Sequence, residues 1–452
     1  MWPSLSQRFV PVLLVLALVG AACGTSAPES LAFATEDTER TVIRLATPRI
    51  DGFESAIADW EHEHPTVEIQ VVLDETDDHH QWLVEGSATP TDIDIVAFEG
   101  AFSADARTRP DVFVDLSDHV EEELEDSFIA SRWREGVANG GELVGLPLDT
   151  DAQLLFFRND LAAASVLSDV RDVQTWCEVI AAGNDFVDQT DRAFLADGEE
   201  LLLAMLMQNR SSWVDSNGRV DPAALSDLQR AWDITMTAVG ADTVGANPCA
   251  ELTDHGPILR DLNPGESVWQ AEIASDDFGA VISNWSDRAL IAQAYPESVE
   301  LWGSFELPVD NTFSDTSGSS SEGGLHLAIP RDSENVDIAL DLILTLTNPV
   351  VQVSTFLDGQ GPLPAVRAPY EDGTVESATD SFFTGSVAIG SIASDTVLDR
   401  STEVAGPERR IVIDVFVAAL ASVQGQLETP EEAWETALAN IEFLLFNEET
   451  SN

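Results

Sequence analysis

The sequence contains no lysine, so all 21 of its basic residues are arginine, against 81 aspartates and glutamates. A chain with a formal net charge of −60 repels nucleic acid, which excludes nucleic-acid binding as its function. The acids are spread along the chain, as in a solvated surface that functions in high salt. Because 44% of the residues are hydrophobic, the chain has enough apolar side chains to fold.

Long apolar runs are scarce, and the clearest lies at the amino terminus, where Arg8 precedes residues 9–22. That run is short for a membrane span and has the layout of a secretory signal. Small residues directly before Cys23 resemble a bacterial lipoprotein cleavage site. We therefore predict a signal peptide over residues 1–22, a lipid on Cys23, and an acidic linker over residues 23–40. The alternative is a plain cleaved signal and a free exported protein.

Cysteine is also rare, with three residues in the chain. If Cys23 carries lipid, Cys177 and Cys249 remain as a pair. An exported compartment permits a disulfide between them. Two buried free thiols are the alternative, because the sequence gives no distance between the two sulfurs.

The amino-terminal part of the chain alternates between strand and helix patterns. Residues 41–46, 67–73 and 92–98 are predicted strands, and apolar residues at helical spacing follow the first of them up to Pro65. Short links between strand, helix and strand predict a parallel sheet covered by helices. Residues 160–280 are predicted to be mostly helical.

The least generic segment of the chain is GLPLDTDAQLLFFRNDL, residues 145–161. Pro147 cannot donate a ladder hydrogen bond, so a strand must begin or be interrupted there. Asp149 and Asp151 follow at a predicted chain crossing, before an apolar strand over residues 154–157.

This segment resembles a hallmark of the extracellular solute-binding proteins of ABC importers, the maltose-binding-like family, with Phe157 where that family usually has tyrosine. Further segments resemble this family, and from residue 41 to the last helix they occur in the same order as in the family. They are ADWEHEHPTVEI (58–69), AVISNW (280–285), WGSFELP (302–308), GGLHLAIP (323–330) and GPLPA (361–365).

The resemblance implies an α/β, two-lobed periplasmic-binding-protein-like fold with hinge crossings and a central ligand cleft. The crossings would lie near residues 146–152 and 303–310. Lobe 1 would comprise residues 41–148 and 309–362, and lobe 2 residues 149–308 and 363–452.

A two-lobed binder holds its ligand near the crossings and at the carboxyl ends of strands. Acidic and amide oxygens accept hydrogen bonds from sugar hydroxyls, and aromatic faces contact their C–H surfaces. The alternatives are that Asp149 and Asp151 only solvate a loop and that Trp285 belongs to the core. The predicted ligand-binding residues are Phe53, Glu99, Asp149, Asp151, Asn284, Trp285, Gly323 and Gly324.

Metal and catalytic sites are not predicted. His62 and His64 are two residues apart on a predicted helix and point to different faces. Among 81 acids, close carboxylate pairs are expected by abundance, so none of them identifies a glycosidase. No serine-centred elbow or phosphate-binding glycine loop has a suitable context, and no cofactor is expected.

The sequence therefore predicts a binding protein that is not an enzyme. We expect a monomer, anchored by lipid at the extracytoplasmic face of the plasma membrane. It would deliver a small organic solute, such as a carbohydrate, to the permease subunits of an ABC importer. The alternatives are a secreted carbohydrate-active enzyme and a ligand-sensing lipoprotein without a transport role.

Overall fold

The chain forms two β-sheets flanked by helices in a computed structural model. The structure describes residues 40–50, 52–73, 80–84, 92–161, 173–196, 198–208, 213–214, 219–251, 257–259, 278–308, 312–313, 323–357, 361–383, 389–398, 406 and 408–449. Within these ranges the strands are β1 (Thr41–Thr47), β2 (Val67–Leu73), β3 (Ile95–Glu99), β4 (Leu146–Pro147), β5 (Gln153–Arg158), β6 (Ala193–Leu195), β7 (Phe278–Asn284), β8 (Trp302–Phe305) and β9 (Leu325–Ala328).

The first sheet has the strand order β2-β1-β3-β9-β4. β1 lies parallel to both β2 and β3. β9 runs antiparallel to its two neighbours and pairs Leu327 with Ala97 on one side and Leu146 on the other. The parallel strand–helix–strand arrangement predicted for the start of the chain is confirmed, and a segment from much later in the chain completes the sheet.

The second sheet has the strand order β6-β7-β5-β8. β5 lies inside it, antiparallel to β7 and to β8, so that Leu155 is opposite both Ile282 and Phe305. All residues of β5 are buried. An interior strand that is covered on both faces needs apolar residues at successive positions, which explains the run Leu154 to Phe157.

Helices cover both sheets, and those predicted from hydrophobic periodicity are present. The last helix begins after Thr429, whose hydroxyl accepts from the backbone of Glu432 at 3.3 Å while the Glu432 carboxylate accepts from the backbone of Thr429 at 3.0 Å. These reciprocal bonds form a capping box. The α-helices are Glu54–Glu63, Gln81–Val84, Ser103–Thr108, Ala130–Glu135, Trp176–Thr190, Glu199–Gln208, Pro222–Val239, Arg288–Ala294, Val336–Leu346, Pro349–Leu357, Ala368–Glu371, Ile389–Leu398, Glu408–Gln424 and Pro430–Glu449.

The third strand begins later than the sequence pattern predicts. Asp92 has a φ of 67°, which ends any extended run, and β3 starts at Ile95. The intervening Asp94 accepts hydrogen bonds from the backbone of Arg44 and from the hydroxyl of Ser333. Asp94 therefore alternates with apolar residues because its buried carboxylate accepts these hydrogen bonds, and not because it belongs to a strand.

Each sheet has its own hydrophobic core. Leu45 and Leu327 belong to the core of the first sheet, and Leu155 and Phe157 to a core of the second. A further cluster joins Phe156 of β5 and Trp285 to Phe356 of helix Pro349–Leu357. Apolar packing thus continues from the second sheet to a helix that follows β9.

The predicted signal peptide, Cys23 and the linker up to residue 39 lie outside the described residues. The bounds given above for the two lobes stay a prediction. Within the described part of the chain, no single helix is long and apolar enough to cross a membrane. One pair bent by 52°, Val336–Leu346 and Pro349–Leu357, meets the length and composition criteria together.

Candidate functional site

Two extended segments meet where the chain passes from one sheet to the other. Residues 148–152, which we call the crossing segment, connect β4 of the first sheet with β5 of the second. The backbone N–H of Thr150 donates to the carbonyl of Leu363 at 2.8 Å, and that of Leu148 donates to Leu325 at 2.8 Å. These bonds hold the crossing segment between residue 363 and the start of β9.

Asp149 is held from two directions within the crossing segment. The Arg49 guanidinium donates to both of its carboxylate oxygens, with Nη1–Oδ2 at 2.7 Å and Nη2–Oδ1 at 3.0 Å. The backbone N–H of Leu325 donates to Oδ1 at 2.6 Å. Asp149 is 1% exposed. It therefore ties the loop after β1 and the start of β9 to the crossing segment.

Asp151 is held by the loop that follows β7. The Ser286 hydroxyl donates to Oδ2 at 2.6 Å, and the backbone N–H groups of Ser286 and Ala152 donate to Oδ1 at 3.3 and 2.9 Å. Burial raises the pKa of Asp151 to about 6, although Arg49 and the Ser286 hydrogen bond act in the opposite direction. The two acids of the crossing segment are thus fixed to opposite sheets.

Arg49 and Glu99 extend this charged cluster along the first sheet. Arg49 follows β1 and Glu99 ends β3, so the carboxyl ends of two parallel strands bring them together. Burial alone would lower the pKa of Arg49, but the carboxylates of Asp149, Asp151 and Glu99 raise it above its ordinary value. Arg49 remains charged, and its positive charge compensates acids that are otherwise expensive to bury.

Gly323 and Gly324 lie against the crossing segment where a side chain would not fit. A Cβ on Gly323 would lie 2.3 Å from the Cβ of Asp151, and one on Gly324 would lie 2.7 Å from the Asp149 carbonyl oxygen. Gly324 also has a φ of +100°, a conformation that favours glycine. The predicted glycine pair is therefore explained by close backbone approach beside both acids.

Asn284 and Trp285 end β7 next to the same segment. The Asn284 side chain caps the turn that follows, and the Trp285 backbone N–H donates to the Ala152 carbonyl at 2.8 Å. The Trp285 ring is 2% exposed, and the Arg288 guanidinium lies 4.2 Å from its centroid. A solute would reach this ring only after such contacts separate, and its role as a ligand platform stays a prediction.

Phe53 occupies a different environment from the other predicted residues. It is 2% exposed, belongs to the core of the first sheet, and precedes helix Glu54–Glu63. The structure thus gathers Glu99, Asp149, Asp151 and the glycine pair around Arg49. It places Phe53 in the adjoining core.

Two residues of this cluster were missed by the motif analysis. Ser286 is not among the predicted ligand-binding residues, although its position next to Trp285 is a usable signal. Tyr370 is 5% exposed and donates from its hydroxyl to the Pro364 carbonyl at 2.9 Å. Burial, followed by the negative charges of Asp151 and Asp149, raises the pKa of Tyr370 well above its usual value. No sequence motif marks that proximity.

The arrangement suits recognition by hydrogen bonds rather than by free charge. Asp149 and Asp151 each accept three hydrogen bonds from protein groups. A carboxylate has about four acceptor positions, so roughly one remains on each for a neutral hydroxyl or amide donor. Among the described residues, no group of three or more His, Cys, Asp or Glu could hold a metal ion.

Cys177 and Cys249 form a disulfide with an S–S distance of 2.08 Å. It connects helix Trp176–Thr190 to a segment 72 residues further along the chain. Both residues belong to the core cluster of the second sheet. The bond therefore lies inside the core of the second sheet.

The chain has relatives among known proteins both by sequence and by structure. The chain is 25% identical over 230 residues to an arabinooligosaccharide-binding protein of Halalkalibacterium halodurans, an alignment that spans 48% of each protein. Among the solved structures that match 90% of this chain are the following two. A crystal structure of an extracellular solute-binding protein of family 1 has a TM-score of 0.70 at 21% identity and is covered completely. An ABC-transporter-associated binding protein of B. animalis subsp. lactis, in complex with β-1,6-galactobiose, has a TM-score of 0.68 at 15% identity and is covered over 98% of its length.

The structural matches confirm the predicted α/β, periplasmic-binding-protein-like fold. The family model described as bacterial extracellular solute-binding protein matches residues 46–353. This range contains most of the first sheet, the crossing segment and the second sheet. The chain belongs to the bacterial extracellular solute-binding protein family.

Proposed function

We propose that this protein is the solute-binding component of an ABC importer for a small carbohydrate. It captures the sugar between its two lobes beside the crossing segment and delivers it to the permease subunits. A lipid on Cys23 holds it, as a monomer, at the extracytoplasmic face of the plasma membrane.

The observation that carries this proposal is the family match over residues 46–353. Two relatives support the ligand class, because one is named for arabinooligosaccharides and the structure of another is a complex with β-1,6-galactobiose. These relatives are binding proteins, which supports binding without chemical conversion.

The cluster around Arg49 supplies suitable chemistry for a sugar. Glu99 is partly exposed, and the acids of the crossing segment keep acceptor positions for hydroxyl groups. Asn284 and Trp285 lie beside them at the end of β7. In the proposed complex, opening of the lobes exposes these side chains, and closure around the sugar restores their burial.

The binding test is a calorimetric and thermal-shift comparison in molar sodium chloride. Arabinotriose, maltose and β-1,6-galactobiose are compared with a set of amino acids. We expect one sugar to raise the unfolding midpoint by mass action and to be recovered unchanged. Glu99→Gln should weaken its binding by roughly tenfold, about 1.4 kcal/mol, while exposed Asp111→Asn should not. Stabilisation by amino acids alone would contradict the carbohydrate assignment, and a hydrolysed sugar would favour the enzyme alternative.

Anchoring and delivery need separate measurements in cells. Wild-type protein should incorporate labelled palmitate and partition into detergent, and Cys23→Ser should abolish both. Deletion of the gene should stop uptake of the sugar bound by the purified protein, and complementation should restore it. Binding without any loss of uptake would favour the ligand-sensing alternative.

A further inference from the structure

A second ion pair connects distant parts of the chain outside the crossing segment. The guanidinium of Arg410 donates to both carboxylate oxygens of Asp105, with Nε–Oδ2 and Nη2–Oδ1 both at 3.2 Å. The two residues are 305 positions apart. Their side chains are 17% and 10% exposed, so the pair is largely shielded from water.

The two partners belong to elements anchored in different sheets. Asp105 lies on helix Ser103–Thr108, which follows β3 closely, and its neighbour Ala106 packs with Phe98 of that strand. Arg410 lies on helix Glu408–Gln424, whose Val412 packs in the core of the second sheet. The ion pair therefore connects elements that pack on the two different sheets and fall in different predicted lobes.

The position of Asp105 places this contact at the ligand side of the first sheet. The helix that carries it follows the carboxyl end of β3, the same end that presents Glu99. Ligand clefts of open α/β sheets lie outside the carboxyl ends of the strands. Separation of the lobes at this edge breaks the contact between Arg410 and Asp105.

Arg410 also has a partner on its own helix. Its Nη1 donates to Asp414 at 3.0 Å, in an i,i+4 arrangement in which Asp414 is 60% exposed. Since Asp414 moves together with Arg410, this second bond survives when Asp105 withdraws. The guanidinium is then still paired, which lowers the cost of breaking the contact between the lobes.

We infer that Arg410 and Asp105 form a latch that stabilises the closed arrangement of the two lobes. Arg410 exchanges this bidentate contact for its bond to Asp414 alone when the lobes separate. The chain has a net charge of −60, so two acidic lobes repel each other as they approach. The latch supplies a local attraction that opposes this repulsion. The contribution of the latch to solute capture rests on the proposed function, whereas the presence of the latch does not depend on it.

The latch is tested without any solute by measuring distances between the lobes. Spin labels are placed on exposed Glu63→Cys and Glu435→Cys in a full-length Cys23→Ser background, and distance distributions are recorded by electron–electron double resonance. We expect Arg410→Gln and Asp105→Asn each to lower the closed-to-open population ratio by roughly three- to tenfold. The double variant should add little to either single change.

Two controls separate the latch from general effects of charge or packing. Arg367→Gln removes one positive charge from an exposed pair with Glu371, and it should leave the distance distribution unchanged. Arg410→Lys keeps the charge but loses the bidentate geometry, so an intermediate shift is expected. The difference between wild type and Arg410→Gln should shrink as sodium chloride rises from dilute to molar, because salt screens the ion pair.

Circular dichroism verifies that each variant is folded. Unchanged distributions in both folded single variants overturn the inference, as does an equal shift in Arg367→Gln. An effect of Arg410→Gln that does not vary with salt would assign Arg410 a packing role and also overturn it. Because no sugar is added, these results are independent of whether the carbohydrate proposal holds.

Discussion

Arg49 and Asp149 are 100 residues apart in the sequence and form a bidentate ion pair where the chain crosses from the first sheet to the second. The same carboxylate accepts the backbone N–H of Leu325. One buried acid therefore fixes three separate parts of the chain relative to one another.

Removal of the Asp149 carboxylate should destabilise the protein more than removal of a surface acid. Asp149→Ala leaves the partly buried Arg49 guanidinium and the Leu325 N–H without this acceptor. We expect a loss of about 3 kcal/mol in the free energy of unfolding. Urea denaturation measures it, with exposed Asp111→Ala as the control. Equal effects of the two changes would show that Asp149 contributes no more than a solvated surface acid.

Asp151 should make the stability of the wild type fall as pH rises from about 4 to 7. Burial raises its pKa in the folded protein to about 6, against an ordinary value of 3.8. Between these pKa values the folded state holds more protons than the unfolded state, so rising pH favours unfolding.

Relative to Asp151→Asn, the wild type should lose about 2–3 kcal/mol of unfolding free energy across this range. The charge of Asp287 raises the pKa of Asp151, and the charge of Arg49 lowers it. Both residues are therefore left unchanged in the two proteins that are compared. Urea titrations of the two proteins at several pH values provide the measurement. A constant difference between them would contradict the elevated pKa.

Trp285 is expected to contribute strongly to stability, because it is buried beside Arg288 and Phe356. Trp285→Ala should cost about 3–5 kcal/mol of unfolding free energy. Leu427→Ala, at a residue that is 80% exposed, is the control.

Sugar affinity measured in the folded fraction of Trp285→Ala tests the separate prediction that the ring binds ligand. If Trp285→Ala is as stable as the wild type but no longer binds sugar, the result would instead favour a Trp285 ring that is accessible to solvent in the protein without ligand.

The disulfide between Cys177 and Cys249 should stabilise the protein by restricting the unfolded chain. For a closed loop of about 70 residues, the chain-entropy relation gives about 4 kcal/mol. Cys177→Ser combined with Cys249→Ser should therefore lower the urea midpoint, and reduction of the wild type should have a similar effect. Cys23→Ser is the matched cysteine control. Identical midpoints in oxidised and reduced protein would argue against this contribution.

Local sequence patterns determined most of the elements and the order of the fold. The alternation of strand and helix patterns in residues 41–98 predicted a parallel sheet, and Pro147 with the two acids that follow it marked the crossing segment. These predictions succeeded because hydrophobic periodicity and proline geometry act within a few residues. Asp94 shows the limit of such patterns, since its partners Ser333 and Asn335 lie more than 200 residues away.

Tertiary structure alone decided how the candidate site is assembled. The sequence identified Asp149 and Asp151 as polar residues at a crossing, but it could not reveal that Arg49 donates two hydrogen bonds to the first and Ser286 two to the second. It likewise gave no sign that Arg410 meets Asp105. In a chain with 81 acids and 21 arginines, composition permits many ion pairs, and only packing selects which of them form. Long-range contacts of this kind depend on where the two sheets bring their loops together, which no local pattern encodes.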